Sequence, residues 1–235
     1  MKFDFHMHTL DDPLDHHVYH TAHELVDRAA ELGYGALAIT LHNAQLENRE
    51  LTEYARKRGI MLLPGIEQDI EGCHVLLINY PKSVSEGIRT FADLAKAKST
   101  EGLVIAPHPY FPGGVSLLER FDANHHLFDA VEVSGFYHRH WNPNRKGMDA
   151  ASRFGLPLVG NSDTHTLEQF GSTWSEVECD SSPESLIAAI KAGKAVVHGR
   201  PLRAVPMAII LWKVIVRGYM KWVNYKRTRG HKPLV

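Results

Sequence analysis

The sequence predicts an α/β fold of a single domain, arranged as a closed or distorted barrel. Short apolar runs alternate with amphipathic helical stretches along most of the chain. Such apolar runs are typical of parallel strands buried on both faces, and the connection between two parallel strands is long enough to hold a helix. The chain has 235 residues, of which 44% are apolar. Barrels of this size commonly fold as one unit.

The elements follow one another in strand and helix order. The first helix is the clearest, because Leu25, Ala29 and Leu32 repeat at helical spacing and Gly33 provides a stop. Helices are expected over residues 21–32, 45–58, 84–98, 145–154 and 183–192. Strands are expected over residues 2–5, 36–40, 60–65, 74–79, 103–106, 130–133, 156–160 and 195–197. No linker or internal repeat divides them, which favours one barrel over two domains.

The C-terminal residues, 201–235, predict a separate basic helical tail. Lys213, Arg217 and Lys221 repeat at helical spacing on an otherwise apolar helix over residues 204–223. Its uncharged run, 204–212, is far shorter than the roughly 18 residues that span a bilayer. We expect this helix to pack on the barrel with its basic edge in water. A helix lying on a membrane surface and a contact between copies of the chain stay open as alternatives.

Charge and cysteine content exclude several classes of protein. There are 26 Lys+Arg against 27 Asp+Glu, a net charge of −1, so no global field attracts nucleic acid and duplex DNA is not an expected partner. The two cysteines are too few for a disulfide framework. Asp4 and His6 stand where a secretory segment needs apolar residues. We therefore expect a cytoplasmic protein.

Histidines and acids gather at the strand ends. The chain holds 16 histidines. His6 and His8 follow the first strand, and Asp163 and His165 follow the strand over 156–160; in extended chain, residues two apart point the same way. The carboxyl ends of barrel strands converge on one mouth. Imidazole and carboxylate suit Zn, Fe and Mn, so a shared metal site is expected. The remaining candidates are His42, Glu67 and His108, which follow strands, and His74, which opens one.

These residues resemble the polymerase and histidinol phosphatase (PHP) family of metal-dependent phosphoesterases. The resemblance runs in order over residues 2–200 and extends into the segment 185–194. Its motifs are Asp-Phe-His-Met-His-Thr at 4–9, Leu-Ala-Ile-Thr-Leu-His-Asn at 37–43, Pro-Gly-Ile-Glu at 64–67, Cys-His-Val-Leu at 73–76, Ile-Ala-Pro-His-Pro at 105–109 and Gly-Asn-Ser-Asp-Thr-His at 160–165.

The resemblance implies a hydrolase domain over residues 1–200, built as a distorted β/α barrel of seven strands. At its mouth it implies two or three divalent ions, either Zn, Mn or Fe. The ligands carried over from the resemblance are His6, His8, His42, Glu67, His74, His108, Asp163 and His165.

A ninth ligand is implied between His8 and the first helix. Family members place it eight residues before the apolar position that matches Leu25, which selects His17. His20 and Asp15 stay open as alternatives. The chain also departs from the family at Leu41, where relatives often have an aspartate that orients a ligand imidazole. That function must come from elsewhere or be absent.

The implied reaction is hydrolysis of a phosphate ester by attack of a metal-bound hydroxide in line on phosphorus. Two ions about 3.5–4 Å apart can acidify a water and neutralise the leaving oxygen. Glu67 is expected to bridge two ions, because a carboxylate has two oxygens to share. Glu67, Asp163 and His108 are the residues expected to take part in catalysis.

The substrate is less visible than the metal site. Arg139 and Arg145 follow the strand over 130–133 and suit phosphate recognition, although a solvated polar loop is an equal alternative. Tyr110 and Phe111 could stack on a ring or only pack. Glu132 is interpreted as a buried strand-end acid or an outer group of the metal site.

Three functions are therefore weighed. The favoured one is a small-molecule phosphatase of the histidinol phosphatase type. A phosphodiesterase or nuclease is the nearest alternative, but it needs a basic groove, and residues 1–200 show none. The third is a non-catalytic metal-binding subunit that docks on a membrane or a partner.

Overall fold

The computed structural model describes residues 1–15, 18–112 and 114–202. Within these residues the chain forms an α/β fold of two five-stranded sheets covered by helices. The strands are β1 (Lys2–Asp4), β2 (Ala36–Ala38), β3 (Met61–Leu63), β4 (Gly65–Ile70), β5 (Cys73–Ile78), β6 (Leu103–Ala106), β7 (Ala130–Ser134), β8 (Leu158–Asn161), β9 (Thr173–Glu176) and β10 (Val196–Gly199). The α-helices are α1 (Ala22–Glu31), α2 (Arg49–Lys57), α3 (Lys82–Ser85), α4 (Phe91–Ala97), α5 (Glu119–Asn124), α6 (Asn144–Phe154) and α7 (Pro183–Lys191).

Both sheets are mixed, and the predicted barrel is wrong. The first sheet has the order β10-β9-β1-β2-β3, and the second has the order β4-β5-β6-β7-β8. β1, β2 and β3 are parallel to one another, as are β6, β7 and β8. β9 runs antiparallel to β1 and β10, and β5 runs antiparallel to β4 and β6. Among the described residues each sheet keeps two free edges, so no closed barrel forms.

The antiparallel strands explain the error. β4 and β5 are joined by the two-residue turn Glu71-Gly72, where φ is 51° and 81°, the geometry of a tight hairpin. β4 and β9 carry polar residues along much of their length, so a search for apolar runs misses them. The expected parallel order also fails between β5 and β6, which pair antiparallel although α3 and α4 lie between them in the chain.

The core lies in three layers. Phe3, Ala38 and Ile105 belong to the apolar cluster between the two sheets, which α7 closes with Leu186 and Ile190. The outer face of the first sheet packs against α1 and α2, and the outer face of the second packs against α4, α5 and α6. Strand residues therefore alternate between the central layer and an outer layer, as side chains on a sheet must.

Capping residues set the helix boundaries. Thr21 and Glu24 form a capping box that begins α1. Thr90 and Asp93 form a second one at α4, which divides the predicted helix over 84–98 into α3 and α4. The predicted helix over 45–58 begins later, at Arg49, because the Asn48 side chain caps it.

Some predictions fall on residues that the structure does not describe. His17 and the predicted tail helix over 204–223 lie outside the described residues, and the division between a hydrolase domain and a tail stays a prediction. Within the described part of the chain, no helix combines the length and apolar character that crossing a membrane requires.

Candidate metal centre

Two bridges between the sheets bring the strand ends together. Met7 pairs with Thr164, so the segments that follow β1 and β8 run side by side. His42 pairs with Glu67, which joins the segment after β2 to β4. Below them the buried Asp4 carboxylate accepts hydrogen bonds from the backbone N–H of His6 and of Ser162. The segments that carry the predicted ligands are therefore held by backbone contacts.

The Glu67 carboxylate lies at the centre of the histidine cluster. Its Oε1 lies 3.3 Å from His6 Nε2 and 3.2 Å from His108 Nε2. His74 Nδ1 lies 2.7 Å from the same oxygen, although it is not aligned to donate a hydrogen bond. One oxygen of Glu67 thus faces three imidazoles.

The second oxygen of Glu67 faces a different pair of imidazoles. Glu67 Oε2 lies 3.4 Å from His8 Nε2 and 3.2 Å from His42 Nε2. Asp163 Oδ1 lies 3.4 Å from His6 Nε2 and 3.8 Å from His8 Nε2, so its carboxylate approaches both sets. This arrangement separates two groups of nitrogen donors on either side of one carboxylate.

Unpartnered nitrogens show that the cluster fits metal ions. His6 Nε2, His8 Nε2 and His74 Nδ1 are buried and make no hydrogen bond. A buried polar atom left in this way costs about 1–3 kcal/mol, and coordination of a divalent cation would satisfy it. Five groups of three potential ligands have ligating atoms within 4.8 Å of one another, namely His6–His8–Glu67, His6–His108–Glu132, His8–Asp163–His165, His8–Asp12–His42 and His42–Glu67–His74.

Asp12 supplies the orienting carboxylate that the family would place at Leu41. Its Oδ2 accepts hydrogen bonds from His8 Nδ1 at 2.9 Å and from His42 Nδ1 at 2.8 Å. Both rings therefore turn their Nε2 atoms toward Glu67, as outer groups of metal sites commonly arrange. The sequence did not identify Asp12 for this role. The sequence shows only that Asp12 lies in the loop after the His-Met-His motif, and Asp11 and Asp15 lie in the same loop.

Glu132 orients a third imidazole from the opposite side. Its Oε1 accepts hydrogen bonds from His6 Nδ1 at 2.7 Å and from the Asn161 side-chain amide at 3.0 Å. Its Oε2 accepts the backbone N–H of His108 at 2.8 Å. The buried strand-end acid expected from the sequence thus contacts two residues of the cluster.

The charges of the cluster are strongly coupled in the absence of metal. Burial acts to raise the pKa of Glu67, but the imidazoles of His74 and His6 hold it well below its usual value. Burial likewise opposes the ionised form of Asp163, yet His6 and His165 lower the pKa of that carboxyl to about 2. Burial, with neighbouring imidazoles, lowers the pKa of His8 to about 4. The metal-free site is thus a network of carboxylates and imidazolium groups.

The candidates for the ninth ligand occupy different places. His17 lies outside the described residues. Asp15 reaches the cluster, because its Oδ2 lies 3.0 Å from His165 Nε2. His165 Nδ1 meanwhile donates to the carbonyl oxygen of Asp163, which turns its other nitrogen toward Asp15. His20 lines a groove beside His165 and belongs to none of the five groups found among the described residues.

The two arginines predicted for substrate binding are not part of the cluster. Arg139 lies exposed in the loop between β7 and α6, and Arg145 lies exposed in the first turn of α6. Across the described ranges no hydrogen bond or ion pair joins either side chain to the candidate ligands. Their role in substrate binding stays a prediction.

Comparisons with known proteins point to the same family as the motifs. Residues 141–195 match a family model described as PHP-associated. A solved candidate metal-dependent phosphoesterase from Bifidobacterium adolescentis has a TM-score of 0.54 at 20% identity, covering 69% of this chain and 87% of that one. The resemblance to the PHP family is confirmed for the matched segment, and the solved phosphoesterase shares the fold.

Other relatives share the fold or part of the sequence. PsfC from Pseudomonas syringae gives a TM-score of 0.64 at 17% identity over 93% of this chain and 98% of that one. An amidohydrolase from Chromobacterium violaceum, solved with bound sulfate and no metal, gives 0.56 at 18% identity over 87% of this chain and 99% of that one. An uncharacterized protein of Methanocaldococcus jannaschii is 30% identical over 112 residues, which are 47% of this chain and 64% of that protein. Outside the segment matched to the PHP-associated model, the structural likeness establishes a shared fold.

Proposed function

We propose that this protein is a metal-dependent hydrolase that cleaves phosphate esters of a small molecule. The observation that carries the proposal is the position of Glu67, whose two carboxylate oxygens face two different sets of imidazoles within 3.4 Å. A carboxylate placed in this way is suited to hold two cations at once. The PHP resemblance and the candidate phosphoesterase of similar fold support phosphate esters as the substrate class.

The residues of the cluster divide into two ligand sets under this proposal. His6, His74 and His108 would hold a cation at Glu67 Oε1, and His8 and His42 would hold another at Oε2. Asp163, His165 and Asp15 offer donors for a further ion. Nitrogen and oxygen donors together suit Zn, Mn and Fe, and two or three such ions would fit the number of donors.

The reaction needs little covalent chemistry from the chain itself. Bound divalent ions acidify a water and neutralise charge on the phosphoryl and leaving oxygens. The water would give one proton to solvent or to an imidazole at the mouth, and its oxygen would form a bond to phosphorus as the bond from phosphorus to the leaving oxygen breaks. The leaving oxygen would take up one proton from the same source, so that the protons balance. The side chains of the cluster hold the cations, while Asp12 and Glu132 fix which nitrogen of each attached ring faces inward.

A Glu67→Gln substitution tests the bridging position. The amide keeps the size of the side chain but has one oxygen instead of two, so we expect at least a tenfold loss of both bound metal and phosphatase activity. Metal content is measured by elemental analysis after dialysis, and activity by phosphate release. Glu53→Gln is the matched control, because Glu53 is exposed and, among the described residues, its ion pair is with Arg56 of its own helix. Unchanged metal content and activity in Glu67→Gln would refute the proposed role.

A substrate panel tests the reaction class. The metal-loaded protein is incubated with phosphate monoesters, phosphate diesters and amides, and chelator-treated protein serves as the control. Phosphate release from monoesters that stops on chelation and returns with Zn, Mn or Fe supports the proposal. Cleavage of diesters alone would replace it with a phosphodiesterase, and cleavage of amides alone with an amidohydrolase. Metal binding without any cleavage would favour a non-catalytic subunit.

A further inference from the structure

The candidate metal cluster has a partly exposed rim, in which the side chains of His42 and His74 are 16% and 14% exposed. His6, His8 and Glu67 are fully buried beneath it. The side chains of His108 and Asp163 are 10% and 16% exposed, and that of His165 is 25% exposed. These partly exposed residues mark the mouth through which a substrate must enter.

Aromatic side chains continue the mouth beyond His108. The ring of Phe111 lies 6.0 Å from the ring of His108. Phe136 and Trp141 lie 6.5 Å and 6.1 Å from Phe111, and 6.1 Å from each other. Trp141 keeps 39% of its surface exposed, although burial of its rings would be favourable. An apolar surface therefore begins at a candidate metal ligand and ends in solvent.

The loop that carries Trp141 is held in place by backbone contacts. His138 and Trp141 exchange two backbone hydrogen bonds of 2.9 Å, which close a tight turn. At the base of the loop, the N–H of Gly135 donates to the carbonyl oxygen of Asn161 at 2.8 Å. A Cβ atom at Gly135 would approach Ser172 Oγ to 2.6 Å, so the close approach requires glycine. The indole is presented at a fixed position beside the mouth.

We propose that Phe111, Phe136 and Trp141 form a recess that binds a planar aromatic group on the leaving side of the substrate. The indole meets the two phenyl rings edge to face, at interplanar angles of 76° and 84°. An aromatic ring of the substrate that enters beside these three rings would make edge-to-face contacts with more than one of them. Each aromatic pair contributes about 0.5–1.5 kcal/mol of binding free energy in addition to that from buried apolar area. A small alkyl group forms no aromatic pair and lacks this contribution.

This inference rests on the proposed phosphate-ester hydrolysis and adds the class of leaving group. Benzyl phosphate and ethyl phosphate are the probes, because both release a primary alcohol and differ in the ring. For Trp141→Leu we expect kcat/KM for benzyl phosphate to fall about 2- to 13-fold, the range given by one lost aromatic pair. The value for ethyl phosphate should stay within twofold of the original enzyme. Trp141→Phe keeps a ring and should restore most of the preference.

Met148→Ala is the matched control, since Met148 is an exposed apolar residue of α6 at 41% exposure and lies outside the recess. It should leave the ratio of the two kcat/KM values unchanged. If Trp141→Leu leaves the ratio of the two kcat/KM values unchanged, the proposed recess is refuted.

Failure of the proposed reaction gives a different result. If the metal-loaded protein releases phosphate from neither ester, the hydrolase proposal falls. The recess is then tested by calorimetric titration with benzyl phosphate, whose affinity must still exceed that of ethyl phosphate and fall in Trp141→Leu. Equal affinities would reject the recess as well.

Discussion

Replacing Asp12 by asparagine tests how the metal centre is oriented. Both carboxylate oxygens of Asp12 are in use: Oδ2 accepts from the rings of His8 and His42, and Oδ1 accepts the backbone N–H groups of Leu14 and Asp15 at 2.8 and 2.9 Å. An asparagine has one acceptor oxygen. If its NH₂ group replaces Oδ1 it meets two backbone N–H donors, and if it replaces Oδ2 it meets the two ring N–H groups and the backbone N–H of His42.

The magnitude follows from the bonds that are lost. Hydrogen bonds to a charged group contribute about 1.5–3 kcal/mol, and the loss of an outer orienting group commonly costs 10- to 100-fold in metal affinity. Since Asp12 serves two imidazoles at once, we expect Asp12→Asn to weaken metal binding at the upper end of that range. The side-chain volume hardly changes, so the fold should persist.

The assay is a competition titration of Zn or Mn against a chromogenic chelator, with circular dichroism as the check on folding. Asp11→Asn is the control, because Asp11 is exposed and, within the part of the chain that the structure describes, its carboxylate accepts a hydrogen bond from the Thr9 hydroxyl alone, at 3.0 Å. It should bind metal as the original protein does. Equal affinities in Asp12→Asn and Asp11→Asn would refute the reasoning, whatever the size of the change.

Two further predictions concern pH and backbone packing. Burial opposes the charged form of His165, but the hydrogen bond with Asp15 raises its pKa to about 9. Relative to an unfolded value near 6.5, this raised pKa, to which Asp163 also contributes, corresponds to about 3 kcal/mol of stability in the metal-free protein. That contribution is fully present below pH 6.5 and is lost as pH rises through 9. Denaturant titrations from pH 6 to 10 should show this decline, and a decline of the same size in Asp15→Asn would contradict it. Gly160→Ala should lower the free energy of unfolding by about 1–3 kcal/mol, because its Cβ would lie 2.8 Å from the carbonyl oxygen of Trp174; Gly87→Ala, whose nearest neighbour is 3.4 Å away, should change it little, and equal effects would refute the packing argument.

Sequence patterns identified the elements that carry a strong period or a clear stop. α1 was found because its apolar residues repeat at helical spacing and Gly33 follows it. β4 was missed because Glu67, Gln68 and Asp69 interrupt its apolar residues, and their burial depends on a hairpin partner that the local sequence does not reveal. The error in sheet topology follows from β4, from the polar β9 and from the antiparallel pairing of β5 with β6 across a helical connection.

The candidate site likewise contains residues that the sequence pattern identified and a residue that it missed. Spacing and strand position placed His6, His8, His42 and His108 among the candidates, because each follows the end of a strand. Glu67 and His74 instead lie within β4 and β5, so their approach to the cluster depends on the hairpin. Asp12 could not be assigned in this way, because Asp11 and Asp15 lie in the same loop and its role depends on which of these acids turns inward. Such a choice is made by tertiary hydrogen bonds, and no local pattern records it.

Asp12 also changes how the loop after β1 should be understood. In the family pattern the orienting acid lies beside His42, on the second strand, whereas this chain has the buried Leu41 there and takes the carboxylate from the loop. The same loop carries Asp15 to His165, so it contacts ligands that follow β1, β2 and β8. Asp12 and Asp15 are buried, and their hydrogen bonds to these imidazoles are strengthened where solvent is excluded. We therefore expect this loop to order the candidate metal centre and to supply the carboxylate that is absent at Leu41.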